Sequence, residues 1–270
     1  MSTFQTPEPI TAVVEVVAGT VRLTATDRDD TVVEVLPRDP NRASDVRIAE
    51  QTRVDFNNGT LKVLAGRRFI HLGRGGAVTI DIGLPSGSRL QASSASADVH
   101  ADGTLADCKL SSASGDMVMD TVTGSVKADS ASGDIGVANI RGSVSISTAS
   151  GDAKIGELHG DLSFQAASGS LAVGELRGNA KSRTASGSVS IAAAVNGAVS
   201  VQSASGEVEV GIAEGTAARL DLQTRSGTVS NGLDAADGPA DGDETLVVHA
   251  RTGSGDIAVR RSTADSASRT

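Results

Sequence analysis

Aromatic residues are almost missing from this 270-residue chain, which has no Trp, no Tyr and only four Phe. Their absence removes the stacking platforms that hold single-stranded nucleic acid or sugar rings. It also removes the bulk that fills an ordinary core, so Val, Ile, Leu and Ala must do so instead. A single cysteine, Cys108, excludes an intramolecular disulfide framework. No uninterrupted apolar run is long enough to span a bilayer. The polar stretch from Met1 to Pro9, followed by a Val-rich segment broken at Glu15 and Gly19, does not resemble an export leader. The expected location on that ground is cytoplasmic, with no direct membrane insertion. Basic excess is lacking as well: the net charge is -9 and the pI about 4.9. That balance opposes attraction to phosphate backbones, so no nucleic-acid partner is expected.

What the chain does have is glycine at regular intervals. Gly115, Gly133, Gly151, Gly169 and Gly187 follow one another every eighteen residues, with Ala97 one period earlier and Gly206 nineteen residues later. A second series, Gly124, Gly142, Gly160 and Gly178, lies midway and continues through Gly197 and Gly215. After the first series come apolar pairs in alternation: Met117 and Met119, Ile135 and Val137, Ala153 and Ile155, Leu171 and Val173, Val189 and Ile191, Val208 and Val210. After the second come Val126 and Ala128, Val144 and Ile146, Leu162 and Phe164. Period-two alternation puts each pair on one face of a strand, with Ile146 inward and Ser145 outward. Glycine recurring this often opposes helix.

The expected fold is therefore all-β: a single-stranded β-solenoid, or β-helix, of about eighteen residues per coil. Stacking coils about 4.8 Å apart would pair backbones in parallel and superpose like side chains. One solenoid domain is expected over 10–260. Residues 10–90 form irregular N-terminal coils or a cap, and 91–222 the regular coils. Residues 223–260 form irregular C-terminal coils with an acidic loop at 231–244, and 261–270 a flexible tail.

The recurring units Ser114-Gly115-Asp116, Ser132-Gly133-Asp134, Ser150-Gly151-Asp152 and Ser254-Gly255-Asp256 appear with the segment Val78-Thr79-Ile80-Asp81-Ile82-Gly83-Leu84-Pro85. Together they resemble the bacterial DUF4097 family, often labelled "putative adhesin", over roughly residues 10 to 260. The resemblance implies β-solenoid proteins, some attached to envelope-stress systems of the LiaF and LiaG type. It also implies a surface role, from which this chain departs by showing no leader. No catalytic motif comes across with it.

Asp98, Asp116, Asp134 and Asp152 follow the corner residue in four successive coils and stack into one outward column. Turn capping by solvated carboxylates is the favoured reading over a divalent-cation site, since the Gly-Gly-x-Gly-x-Asp calcium pattern is absent. His159 shares a coil position with Arg141 and Arg177, a basic column best explained by solubility. His71, His100 and His249 have no zinc spacing. No metal and no cofactor is expected. The basic stretch 66–76 is the candidate partner contact, through Arg67, Arg68, Phe69, His71 and Arg74. Its Gly73 to Gly76 lacks the Lys-Ser or Lys-Thr continuation of a phosphate loop. Cys108 falls in the inward column with Val126, Val144 and Leu162, as a structural thiol.

No catalytic constellation converges, so the chain is not expected to be an enzyme. The leading expectation is a noncatalytic structural or protein-interaction scaffold, linked to envelope stress by the resemblance, with a protein partner or a homo-oligomeric state. Alternatives are calcium-assisted adhesion or self-association, and a β-helix enzyme acting in a surface groove. Ice binding is opposed by the mixed Ser130, Thr148, Ala166 and Thr184 column.

Overall fold

The computed structural model describes residues 1–66, 76–234, 238–240 and 242–262, which fall into two compact units, Met1–Asp152 and Ala153–Thr270. In the first unit the chain runs through β1 (Ser2–Gln5), β2 (Thr11–Thr26), β3 (Asp30–Pro37), α1 (Ala43–Gln51), β4 (Arg53–Asn57), β5 (Thr60–Ala65) and β6 (Val78–Pro85). It continues through β7 (Ser88–Ser112), β8 (Met117–Val122), β9 (Val126–Ser130), β10 (Ile135–Arg141) and β11 (Val144–Thr148).

The alternating Val14, Val16, Val21 and Leu23 make β2 an inward-facing strand that can be paired on both edges. β7 lies parallel along one edge, with Val14 opposite Ala92 and Val21 opposite Val99. β5 and β6 lie parallel along the other, with Val14 opposite Val63 and Val21 opposite Ile80. Beyond them the pairing turns antiparallel: β3 on β6, β1 on β3, and β4 on β5. Helix α1 is tied down by Asp45, which is 1% exposed. Its carboxylate accepts the backbone N–H groups of Asp39 and Ala77, each at 3.2 Å, and lies 3.6 Å from the Arg42 guanidinium.

Past β2 the eighteen-residue register is realised. β10 lies parallel on β8, matching Ile135 to Met117 and Val137 to Met119, and β11 on β9, matching Val144 to Val126 and Ile146 to Ala128. Val99 and Ala101 of the 25-residue β7 pair with β8, while Cys108 and Leu110 pair with β9. Columns of fully buried Val, Ile, Leu and Met result, each side chain contributing about 1.5–3 kcal/mol by leaving water. Gly115, Gly133 and Gly151 are needed for close approach rather than for positive φ. A Cβ on Gly133 would run into the Gly115 carbonyl, and one on Gly151 into that of Gly133. Their amides are held by the hydroxyl three residues earlier: Gly115 N–H donates to Ser112 Oγ at 2.8 Å, Gly133 to Ser130 Oγ at 2.9 Å, and Gly151 to Thr148 Oγ1 at 2.8 Å.

The second unit comprises β12 (Ala153–His159), β13 (Leu162–Ala166), β14 (Leu171–Arg177), β15 (Ala180–Ser186), β16 (Val189–Ser205) and β17 (Val208–Ile212). It continues with β18 (Thr216–Ser226), β19 (Val229–Asn231), β20 (Glu244–Ser254) and β21 (Ile257–Arg261). Parallel pairs β12–β14, β13–β15 and β14–β16 keep the register of eighteen, and β15–β16 follows at nineteen. Sequence order then breaks. β20 lies between β16 and β18, with Ala250 opposite both Val201 and Leu222, and β21 lies between β17 and β19.

The expectation of a regular single-stranded β-solenoid is corrected by this topology. The sheet is mixed, with antiparallel strands and a helix in the first unit, and in the second unit β20 and β21 lie between strands that precede them in sequence. The reason is that glycine spacing fixes where the chain turns, not which strand lies beside which, and burial then follows the pairing. Val248 and Ala250 of β20 are fully buried in the doubly paired position, whereas Leu220 and Leu222 of β18 are only half-buried outside it.

Candidate interaction surface

In the first unit, glycine corners bring the aspartate column to the surface. Asp116 N–H donates to Asp98 Oδ1 at 3.1 Å, Asp134 N–H to Asp116 Oδ1 at 2.9 Å, and Asp152 N–H to Asp134 Oδ1 at 2.8 Å. Each of these carboxylates thus satisfies the amide of the aspartate one coil on, which is the capping arrangement that Ser-Gly-Asp suggests. The same device recurs at Asp107, which accepts the N–H and Oγ–H of Ser125 at 2.9 and 2.8 Å. These two bonds, with Arg89 at 3.3 Å, hold its carboxyl below the usual carboxylate range. Among the described residues, no three His, Cys, Asp or Glu gather as metal ligands.

Cys108 is 2% exposed, and burial pushes its thiol up to about 12, so it is a core side chain. His159 and Arg177 are exposed and directly opposite on β12 and β14, with Arg177 Nε bonded to Glu175 at 2.7 Å. Arg141 is exposed in the first unit. Neither His100 nor His249 belongs to a group of three metal-ligand side chains among the described residues. The candidate contact residues Arg67, Arg68, Phe69, His71 and Arg74 lie outside the described residues.

The surface that sequence reasoning missed belongs to the second unit. Among the described residues β18 pairs with β20 alone, so its other edge carries every second backbone N–H and C=O outward. Ala218, Leu220 and Leu222, the inward positions, are half-buried, with no strand beyond them among the described residues. On the opposite face, Asp221 lies 3.3 Å from His249 Nδ1 and 3.5 Å from Arg251 Nη2, and accepts from Gln223 Nε2 at 3.2 Å. The hydrogen bond with His249 is the main influence holding the Asp221 carboxyl below its ordinary value, with Arg251 adding to it. Between β17 and β21, Glu209 and Arg260 pair at 2.5 Å. Arg219 is exposed. The sequence signalled the strand, through the alternation of Leu220 and Leu222 with Arg219 and Asp221, but not its open edge.

Parallel ladders with capped corners and, among the described residues, an unpaired strand edge define an all-β ladder protein. The chain belongs to the family described as Toastrack DUF4097, which matches residues 13–265. That match completes the correction of the solenoid expectation: the fold is of the toastrack type. Among solved structures, the chain is similar to a "putative adhesin" from Bacteroides fragilis NCTC 9343 at 14% identity and TM-score 0.45, covering 96% of this chain and 95% of that one. It is also similar to a "putative cell adhesion protein" from Clostridium sporogenes ATCC 15579 at 8% identity and TM-score 0.21, covering 96% and 98%. No curated protein matches.

Both names describe those two proteins as adhesion proteins. The cytoplasmic expectation is withdrawn, since it rested only on the lack of a leader-like segment. No helix among the described residues is long and apolar enough to cross a membrane.

Proposed function

We propose that this chain acts as an adhesin-like scaffold, working by adhesion or self-association through its β-ladders rather than by catalysis. The observation that carries the reading is the eleven-residue outer edge of β18. A strand edge of that length is a template for another strand, and proteins that must stay apart keep such edges short or covered. In the first unit the antiparallel strands β1 and β4 have only four and five residues.

Calcium is not part of the proposal. In the aspartate column Asp98, Asp116 and Asp134 are each bound to a backbone amide, and the column offers carboxylates spread along the coils rather than the six to eight converging oxygens of a selective calcium site. The finer link to LiaF- and LiaG-type envelope stress has no support in the ladder geometry and is not adopted.

Light scattering on the eluting full chain, with the clustering of beads coated with it, tests the reading. Mass should rise with concentration and beads should cluster, equally in calcium and in chelator. A constant single-chain mass together with dispersed beads would remove the reading.

A further inference from the structure

Resting on the self-association reading, we infer that the partner of β18 is β18 of a second copy, paired antiparallel about a twofold axis at Leu220. Three observations converge on this register.

The first is backbone direction. In the parallel pair with β20, alternate residues of β18 turn their peptide groups toward β20, beginning with the Gly215 carbonyl that accepts Glu244 N–H at 2.9 Å. The odd-numbered residues therefore face β20, and Ala218, Leu220 and Leu222 face the open edge. An antiparallel partner centred on Leu220 exchanges both hydrogen bonds between the two Leu220 residues, and again between each Ala218 and the Leu222 across the axis. Pairing over these residues alone forms about six backbone bonds.

The second is charge. In this register Arg219 stands opposite Asp221 of the second copy, and Asp221 opposite its Arg219. Both are non-hydrogen-bonded positions, where opposing side chains come closest. Arg219 is exposed, and Asp221 is already oriented by His249 and Arg251 on β20. No like charges face each other, since Ala217 meets Gln223 and Gly215 meets Arg225. A register centred on Leu222 would instead put Arg219 opposite Arg225 of the second copy.

The third is the half-buried inner row. A twofold axis normal to the sheet keeps both inner faces on one side, so Ala218, Leu220 and Leu222 of each copy continue the other's apolar row. The contact is one strand wide, so a weak dimer is expected.

Sedimentation velocity on the full chain from about 1 µM to about 1 mM tests the pairing. Arg219→Asp sets two carboxylates against each other across the axis and is expected to weaken the dimer at least tenfold. The double variant Arg219→Asp with Asp221→Arg reverses both partners and is expected to restore it. Leu220→Cys under mild oxidation is expected to give a covalent dimer whose linked peptide joins residue 220 to itself. Circular dichroism of each variant verifies that the ladders are formed.

An Arg219→Asp chain that dimerises like the parent, or a linkage between other positions, overturns this register while leaving self-association standing. A parent chain that is monomeric throughout the range overturns both. Capture of a β18-sequence peptide in the parallel sense overturns the twofold arrangement.

Discussion

Replacing Ile146 by Asp tests the ladder at its most ordinary point. Ile146 is 1% exposed and sits opposite Ala128, while Ser145 beside it is exposed and opposite Lys127. Losing the buried aliphatic side chain costs about 2–3 kcal/mol. The carboxyl that replaces it has no partner in the apolar column, so it folds in its neutral form. Protonating at pH 7 a group whose reference pKa is about 3.9 costs about 4 kcal/mol more. The sum, about 6 kcal/mol, is a large part of the whole stability of a typical domain. Ser145→Asp puts its charge in water opposite a lysine and should change stability by less than about 1 kcal/mol, on the favourable side. Ile146→Val should fall between, at about 0.5–1.5 kcal/mol.

Urea unfolding of the three variants, with the slope checked for constancy, reads these differences directly. The sign with pH is also fixed. A buried carboxyl with raised pKa loses stability as pH rises above its unfolded value, so the Ile146→Asp deficit should shrink as pH falls toward 4. Equal losses for Ile146→Asp and Ser145→Asp, or a deficit that does not change with pH, would refute the inward assignment of this strand.

Ser182 Oγ is buried without a hydrogen-bond partner among the described residues, opposite Phe164 and Val201, so Ser182→Ala should stabilise the second unit by about 1 kcal/mol in the same urea assay. A loss of stability would mean that the hydroxyl has a partner. Cys108, pushed up to about 12 by burial, should resist a thiol-specific reagent at pH 8 in the folded chain and react fully in denaturant. Prompt reaction of the native chain would place it at the surface. Asp107 has a lowered folded pKa, caused first by its bond from Ser125 N–H. Its contribution is therefore present above the unfolded value near 4 and lost as pH falls through the folded one. Asp107→Asn should flatten the acid limb of the stability profile, and an unchanged limb would show that the bond has no such effect.

The eighteen-residue period located the corners and the inward face correctly in detail: Met117 meets Ile135, and Val126 meets Val144, one period on. Capping by the Ser-Gly-Asp carboxylates was equally legible, because an Asp one residue after a corner can reach only a few amides. Strand order was not. Glycine spacing marks where a chain turns but not which strand will lie beside it. β20 displaces β18 from the side of β16, a pairing between segments far apart in sequence.

The antiparallel strands were missed for a related reason. Val33 and Val35 alternate in the same way whether their neighbour runs parallel or antiparallel, so only the Ile82 and Ile80 opposite them reveal the direction. Helix α1 carries few apolar residues and depends on the buried Asp45, which no periodicity marks. The outer edge of β18 could be recognised only once β20 had been placed.

Hydrogen exchange read residue by residue along β18, at two protein concentrations about a hundredfold apart, tests the central claim most directly. The amides of Arg219 and Asp221, turned toward β20, should be protected at both concentrations. Those of Ala218, Leu220 and Leu222 should exchange quickly in dilute solution and slow markedly in concentrated solution, as the open edge finds a second strand. Equal exchange of these three amides at both concentrations would contradict the account of this chain as a scaffold that associates through its β-ladder edge.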